Sequence, residues 1–424
     1  MSARRPHGPV NRLPWGLLPQ FHHDPLRLLE EVGRRYPSLA TLPFGPWTLF
    51  LATDDRVVED VLRPHKDHFR KGPGMEASNP LIGQGLLLSE GELWRDQRRA
   101  ILPAFSDEQM DAYQNVMTHE VLASTAQWFT DGQIDAAQFG RHLALAVAMS
   151  ALFGAEPDSE AVACVGEATR NVMAHFHRRA RSLFRPPYHW PAPFNRSFHQ
   201  ASAVLGNYMT PLLASPATAL TRILACSPLD RQNAEAITFL IAGHETTGNA
   251  LAWTLRLLAE YPEVADRVSE EAKSQEGQRP SLAYAEAVCL ESLRLYPPVW
   301  LISRTALTPV EVAGYRLPEG SHFLISPWVT HRIDTYYPEA SAFRPERWLN
   351  QGKVVRSRAD YRFLAFGGGP RRCPGEGFAL REMVTAISMI CRKWRMHPLG
   401  SFPKPEPGMT LAPKGEVVLK LSQR

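Results

Sequence analysis

A run of glycines beside one cysteine, Phe366-Gly-Gly-Gly-Pro-Arg-Arg-Cys-Pro-Gly375, limits this chain more than any other stretch. Glycine opens left-handed backbone and close approaches that a Cβ forbids. The N–H groups of such a turn, with Arg371 just before Cys373, favour a charged sulfur over a neutral thiol. The stretch reads as a holder for one thiolate. Zinc would need partners at close spacing, and no Cys-x-x-Cys occurs in the chain. A buried structural cysteine would not need such matched neighbours. A nucleophilic cysteine stays open on chemistry alone, although no protease signature surrounds Cys373.

Length allows about three average domains. Net charge is +4, from 47 basic and 43 acidic side chains, so charge does not point to nucleic acid. The five cysteines (164, 226, 289, 373 and 391) are odd in number and far apart, which predicts reduced thiols rather than disulfide staples. The N-terminus has no apolar run long enough for a signal peptide or a membrane span, so a cytoplasmic protein is expected.

The pattern is mainly α with a smaller β-rich region. Residues 1–24 are rich in proline and polar side chains and read as a surface-wrapping segment. Leu26–Tyr36 reads as a helix and Thr41–Ala52 as a hairpin around Pro-Phe-Gly-Pro. Helical patterns cover 106–153 and flank a proline-aromatic segment within 155–215. One long helix is expected from Gln232 to Glu260, roughly 40 Å at 1.5 Å per residue, stopped by Pro262. A further helix is expected over 282–296, short strands over 302–327, a helix after Cys373 and strands over 403–415.

Within the long helix lies Ala242-Gly243-His244-Glu245-Thr246-Thr247. A mid-helix glycine costs about 1 kcal/mol relative to alanine, and threonines that bond back to the preceding turn bend a helix. A hydroxyl and a carboxylate at such a place suggest a reactive site. The plainer alternative is a polar stripe with a packing glycine. His244-Glu245 opens a zinc-protease motif that fails because position 248 is glycine, leaving His244 structural. Glu291 and Arg294 share a helix face, as do Trp94 and Arg98.

Phe366, Gly369, Arg371, Cys373 and Gly375 match Phe-x-x-Gly-x-Arg-x-Cys-x-Gly, which resembles the haem-binding loop of the cytochrome P450 family. The resemblance covers nearly the whole chain. It implies one large domain over 1–424, with haem between the long central helix and the cysteine loop, no fused reductase and no anchor. Cys373 would be the axial iron ligand, with Phe366, Gly369 and Gly375 shaping its loop. The stretch 242–247 resembles the family's oxygen-activating turn. Thr246 and Glu245 would handle protons there, and Ala242 and Gly243 would lie against the haem. Trp94, Arg98, Arg304 and Arg371 stand where the family holds haem propionates. Phe343-Arg-Pro-Glu-Arg-Trp348 resembles the family's meander, whose Arg347 would join Glu291 and Arg294 in a structural network.

The resemblance places substrate contacts at Leu81, Phe239, Ala242, Val299, Leu301, Ile302 and Leu411, whose apolar character favours a large hydrophobic molecule. The stretch around Trp94 and the C-terminal half look similar to a bacterial branch that hydroxylates carotenoid rings. Fatty-acid or terpenoid hydroxylation is the alternative. Peroxide-driven chemistry and a non-enzymatic haem sensor are the other classes weighed, and the Glu245–Thr246 pair argues against both. Electrons from NAD(P)H would arrive through a reductase and a ferredoxin or flavodoxin. Arg95, Arg99, Arg372, Arg381, Arg392 and Lys393 would form a basic face for that donor. Segment 176–194 interleaves basic and aromatic residues. It reads as an ordinary solvated loop or, more sharply, as a peripheral contact with anionic lipid.

Overall fold

The computed structural model describes residues 6–11, 13–63, 68–73, 79–182, 187–190, 192–274, 282–357 and 360–424. Its backbone sorts into two compact units, each drawn from three stretches of chain. The first comprises Met1–Glu76, Leu293–Phe343 and Arg356–Cys373, and the second comprises Ala77–Ser292, Arg344–Val355 and Pro374–Arg424. Helix dominates, with short strands as a minority.

In the first unit, β1 (Leu39–Phe44) and β2 (Trp47–Ala52) form the expected hairpin, with Phe44 opposite Trp47. β3 (Phe69–Lys71), β4 (Ile302–Ala306) and β5 (His322–Ile325) extend it to a sheet in the order β1-β2-β5-β4-β3. β2 and β5 run parallel, with Leu49 opposite His322. Phe50, Phe69, Phe323 and Ile325 of the sheet bury against Val57, Val58, Val61 and Leu62 of the helix Asp55–Leu62. The Phe323 ring lies 5.6 Å from Phe50 and 5.5 Å from Phe69. That helix starts at Asp54, whose side chain accepts the Arg56 N–H at 3.0 Å and satisfies an orphan donor.

Helices α1 (Gly91–Ile101), α2 (Ala136–Val147), α3 (Ser159–Arg181), α4 (Leu229–Glu260), α5 (Ala283–Leu295) and α6 (Glu376–Lys393) carry most of the expected site. All belong to the second unit except the last turn of α5. α4 has 32 residues, about 48 Å of helix. It starts earlier than Gln232 because Pro228 sets the preceding backbone and Asp230 favours the first turn. Every residue from Thr247 to Ala259 is buried, as expected of a helix inside a core. Pro262 ends α4 and opens the next helix, Pro262–Ser274.

α2 crosses α4 where two glycines meet. A Cβ on Gly140 would stand 2.5 Å from the Gly248 carbonyl oxygen, and one on Gly248 would stand 2.9 Å from Arg141 Cα. Neither site has room for a side chain. α2 runs on into one π-helical turn, Ala148–Leu152, which faces Gly243. A Cβ there would lie 3.6 Å from Leu152 Cδ1, an ordinary contact.

Segment 155–215 holds α3 and the helix Pro193–Ala214. The second helix tolerates Pro211 because only its last turn is affected. Pro405–Pro407 pairs with Leu411–Pro413 as the expected tail strands. Among the described residues no helix is long and apolar enough to cross a membrane. Residues 1–5 and 12 of the expected N-terminal wrap, and 183–186 and 191 of segment 176–194, lie outside the described residues.

Candidate active site

The cysteine loop is built by backbone. Gly367 and Gly369 take φ of +71° and +64°, the left-handed region that favours glycine. A Cβ on Gly369 would stand 2.1 Å from the Leu62 carbonyl oxygen, and one on Gly368 would stand 2.8 Å from the Tyr361 ring. Three hydrogen bonds close the turn: Gly367 N–H to Leu364 O at 2.8 Å, Arg372 N–H to Gly369 O at 3.1 Å, and Cys373 N–H to Phe366 O at 2.8 Å. Cys373 is exposed and in no disulfide. Gly375 caps α6, whose electropositive end therefore opens just after the sulfur.

The donor set decides which metal group fits. Among the described residues no cluster of three His, Cys, Asp or Glu side chains could hold an ion. Cys373 therefore offers one sulfur, and an iron bound there needs its remaining ligands from a prosthetic group. Haem meets that requirement.

The turn 242–246 of α4 is built by side chains. Burial along the helix is interrupted here. Ala242 is exposed, and Ile241, Gly243, Glu245 and Thr246 are half-buried between fully buried stretches. Thr246 Oγ1 donates to Ala242 O at 2.8 Å. The same back-bond occurs at Thr238 and Thr254, so it does not by itself mark a reactive residue. The helix stays unbroken through it.

Glu245 Oε2 is sealed from solvent without a hydrogen-bond partner among the described residues. Burial raises its pKa above the ordinary 4.5, opposed by Arg141 of α2 and Arg170 of α3. His244 is buried, and its Nδ1 has no hydrogen-bond partner among the described residues. Burial, with the same two arginines, lowers its pKa to about 3, so it is neutral at ordinary pH. Nothing in the sequence marked Arg141 and Arg170, because only tertiary packing brings them near Glu245.

The expected propionate residues are half-buried. Trp94 and Arg98 lie on α1 in the second unit. Arg304 on β4 and Arg371 in the cysteine loop belong to the first. Arg304 Nη1 donates to its neighbour Ser303 O at 2.8 Å.

Glu291 is fully buried. Its Oε1 accepts from Arg347 Nε at 2.9 Å and Arg344 N at 3.0 Å, and its Oε2 accepts from Trp348 Nε1 at 2.9 Å. Arg294, equally buried, donates to the carbonyls of His331, Ala340 and Ala342 and lies over the Tyr337 ring. His331 completes this scaffold. Its Nε2 accepts from Leu364 N at 2.8 Å, which fixes Nδ1 as the donor to Arg294 O. Trp348 and His331 are structural residues that motif spacing alone did not assign.

The expected substrate residues divide by exposure. Leu81, Phe239 and Leu411 are buried, with Phe239 stacked on Phe105 at 6.2 Å and Leu411 O accepting from Trp253 Nε1. Ala242 and Val299 are exposed, and Leu301 and Ile302 are half-buried. Of the expected basic face, Arg95, Arg99, Arg392 and Lys393 are exposed, while Arg381 is paired with Asp111 at 3.0 Å.

The cytochrome P450 family model matches residues 6–220 and 229–421. Cyclooctat-9-en-7-ol 5-monooxygenase of Streptomyces melanosporofaciens is 30% identical over 91% of this chain and 87% of its own length. LUTEIN DEFICIENT 5, a chloroplastic protein of Arabidopsis thaliana, is 27% identical over 86% of this chain and 68% of its own. The crystal structure of CYP175A1 from Thermus thermophilus superposes with a TM-score of 0.84 at 29% identity, covering 98% of this chain and 99% of that one. The family match takes in the cysteine loop, the α4 turn and α1 alike, and the chain belongs to the cytochrome P450 family as an oxidoreductase of the monooxygenase type.

Proposed function

We propose that this chain hydroxylates a large apolar isoprenoid, with a carotenoid ring as first choice, and that Cys373 is the axial thiolate of its haem. When bound, haem supplies the iron at which dioxygen is activated. The balanced reaction takes substrate, dioxygen, two electrons and two protons to hydroxylated substrate and water. Residues 1–424 act as one domain, a reading supported by the interleaving of three chain stretches in each compact unit. Trp94, Arg98, Arg304 and Arg371 neutralise the two propionates.

Glu245 and Thr246 manage the protons. Thr246 directs its hydroxyl hydrogen to Ala242 O, which leaves the oxygen as an acceptor. Glu245, whose affinity for a proton is raised by burial above that of an ordinary glutamate and lowered in part by Arg141 and Arg170, is the proton donor in this reading. The Oε2 of Glu245, next to Thr246 in sequence and sealed without a hydrogen-bond partner among the described residues, is the observation that carries the reading. An enzyme fed by peroxide, or a haem sensor, needs no such donor.

Electrons come from a ferredoxin or flavodoxin steered by the exposed arginines and Lys393. The apolar side chains at 239–242 and 299–302 offer no carboxylate-binding cation, which favours an isoprenoid over a fatty acid. Relatives named for cyclooctat-9-en-7-ol and for lutein support the same choice. The exposed Trp190 supports a glancing lipid contact of segment 176–194.

Cys373→Ala is expected to abolish the red-shifted Soret band of the ferrous–CO state, and a surviving band would overturn the ligand assignment. Thr246→Ala is expected to divert electrons to hydrogen peroxide, whereas unchanged coupling would point to another proton route. Titration with β-carotene and with a long-chain fatty acid separates the substrate classes. The expected result is a spin-state shift and turnover with the carotenoid, and their absence would remove it as first choice.

A further inference from the structure

A buried polar clamp joins α1 to α4 at a place the monooxygenase chemistry does not use. Gln97 stands between Trp94 and Arg98 on α1 and is buried. Its Nε2 donates twice, to Glu235 Oε1 of α4 at 2.6 Å and to Gln84 O at 2.7 Å. Glu235, also buried, accepts at its other oxygen from Ser227 Oγ at 3.1 Å. Gln232 Nε2 braces that corner by donating to Ala225 O and Ser227 O, both at 2.9 Å. Segment 82–88 is seated on α4 directly. A Cβ on Gly85 would stand 2.5 Å from Thr238 Oγ1 and 3.2 Å from Ala234 O.

Two features set this clamp apart from ordinary core packing. Both Nε2 hydrogens of Gln97 are used, so leucine or glutamate cannot replace the pattern. The Gln97 Oε1 is left buried without a hydrogen-bond partner among the described residues. The amide end of Gln97 thus holds both elements while its carbonyl end finds no partner among the described residues.

We infer that Gln97 and Glu235 are positioning residues that fix α1 on α4 and so aim Trp94 and Arg98. The inference rests on the proposed propionate role of that pair. Gln97 touches neither the reacting atoms nor substrate. It sets the register of the helix face on which Trp94 and Arg98 stand, and through Gln84 it holds the segment that carries Leu81.

The test uses the haem-loaded protein and measures haem transfer to excess apomyoglobin, with urea unfolding as a control. Gln97→Leu is expected to speed haem loss about tenfold, the equivalent of one buried hydrogen bond. In an Arg98→Leu background the same change is expected to add little, because Gln97 acts through Arg98. The exchanged pair Gln97→Glu with Glu235→Gln restores one α1–α4 hydrogen bond with its polarity reversed. It is expected to recover most of the retention lost in Gln97→Glu alone.

The outcomes separate the two claims. If Arg98→Leu does not speed haem loss, the propionate reading fails. If Arg98→Leu does so, but Gln97→Leu does not or is simply additive with it, the clamp inference fails. The exchanged pair decides the matter should Gln97→Leu not fold, because no rescue of Gln97→Glu by Glu235→Gln would also overturn the clamp.

Discussion

The cysteine loop and the α4 turn serve the same proposed chemistry but are built in opposite ways. In the loop, backbone does the work. Glycines take left-handed angles, and three short hydrogen bonds close the chain on itself. In the α4 turn the backbone is plain helix, and the tension lies in side chains, with Glu245 Oε2 and His244 Nδ1 sealed and without hydrogen-bond partners among the described residues. A ligand sulfur needs a fixed position, which backbone geometry provides. A proton carrier needs a perturbed affinity for protons, which burial without partners provides. The difference predicts that the loop fails by losing its shape and the turn fails by losing its chemistry.

The largest expected effect is at Gly369. Gly369→Ala forces a methyl group onto the Leu62 carbonyl oxygen and an L-residue into φ +64°, at a cost of about 3 kcal/mol or more. Denaturant unfolding together with the CO-difference spectrum checks this. Wild-type stability with an intact band would show that the loop is not locked by that contact.

Next come two glycines of α4. Gly248→Ala meets Arg141 Cα at 2.9 Å and is expected to cost about 1–3 kcal/mol. Gly243→Ala meets only ordinary protein contacts and is expected to stabilise the helix of the haem-free protein by about 1 kcal/mol. Opposite signs in thermal or urea unfolding would support the contrast, and equal destabilisation would break it.

The smallest effect is a slope. Because burial raises the Glu245 pKa, the folded state holds this proton more tightly than the unfolded one. The residue's contribution to stability therefore falls as pH rises above its ordinary 4.5. Glu245→Gln is expected to gain on the parent protein progressively above that pH, while product coupling drops. Parallel stability profiles would mean that Glu245 does not titrate differently on folding.

Periodicity and punctuation made the elements readable. The long helix was visible from its pattern and from Pro262, and the hairpin from Pro43-Phe-Gly-Pro46. The glycines of the cysteine loop were visible as a motif, but not the reason for Gly369, since Leu62 lies far away in sequence. Glu291 and Arg294 were legible as neighbours on a helix. Partners such as Trp348 for Glu291 and three carbonyls for Arg294 were not. The failed zinc motif turned on Gly248, and the structure adds why position 248 is glycine: α2 crosses there. The Gln97–Glu235 clamp left no trace in spacing, because two polar residues on separate helices show nothing until the helices meet.

The contact between Gly369 and Leu62 also orders events in time. On a growing chain, Leu62 leaves the ribosome about 300 residues before the loop it shapes, and contacts so distant in sequence are the slow ones to form. The sulfur's cradle is therefore a terminal product of assembly. A nascent chain stalled before residue 366 has an early sheet and a long helix but not the cysteine loop. If Cys373 holds the haem as proposed, cofactor capture is a late checkpoint, passed by molecules in which the Leu62 and Gly369 segments have already met.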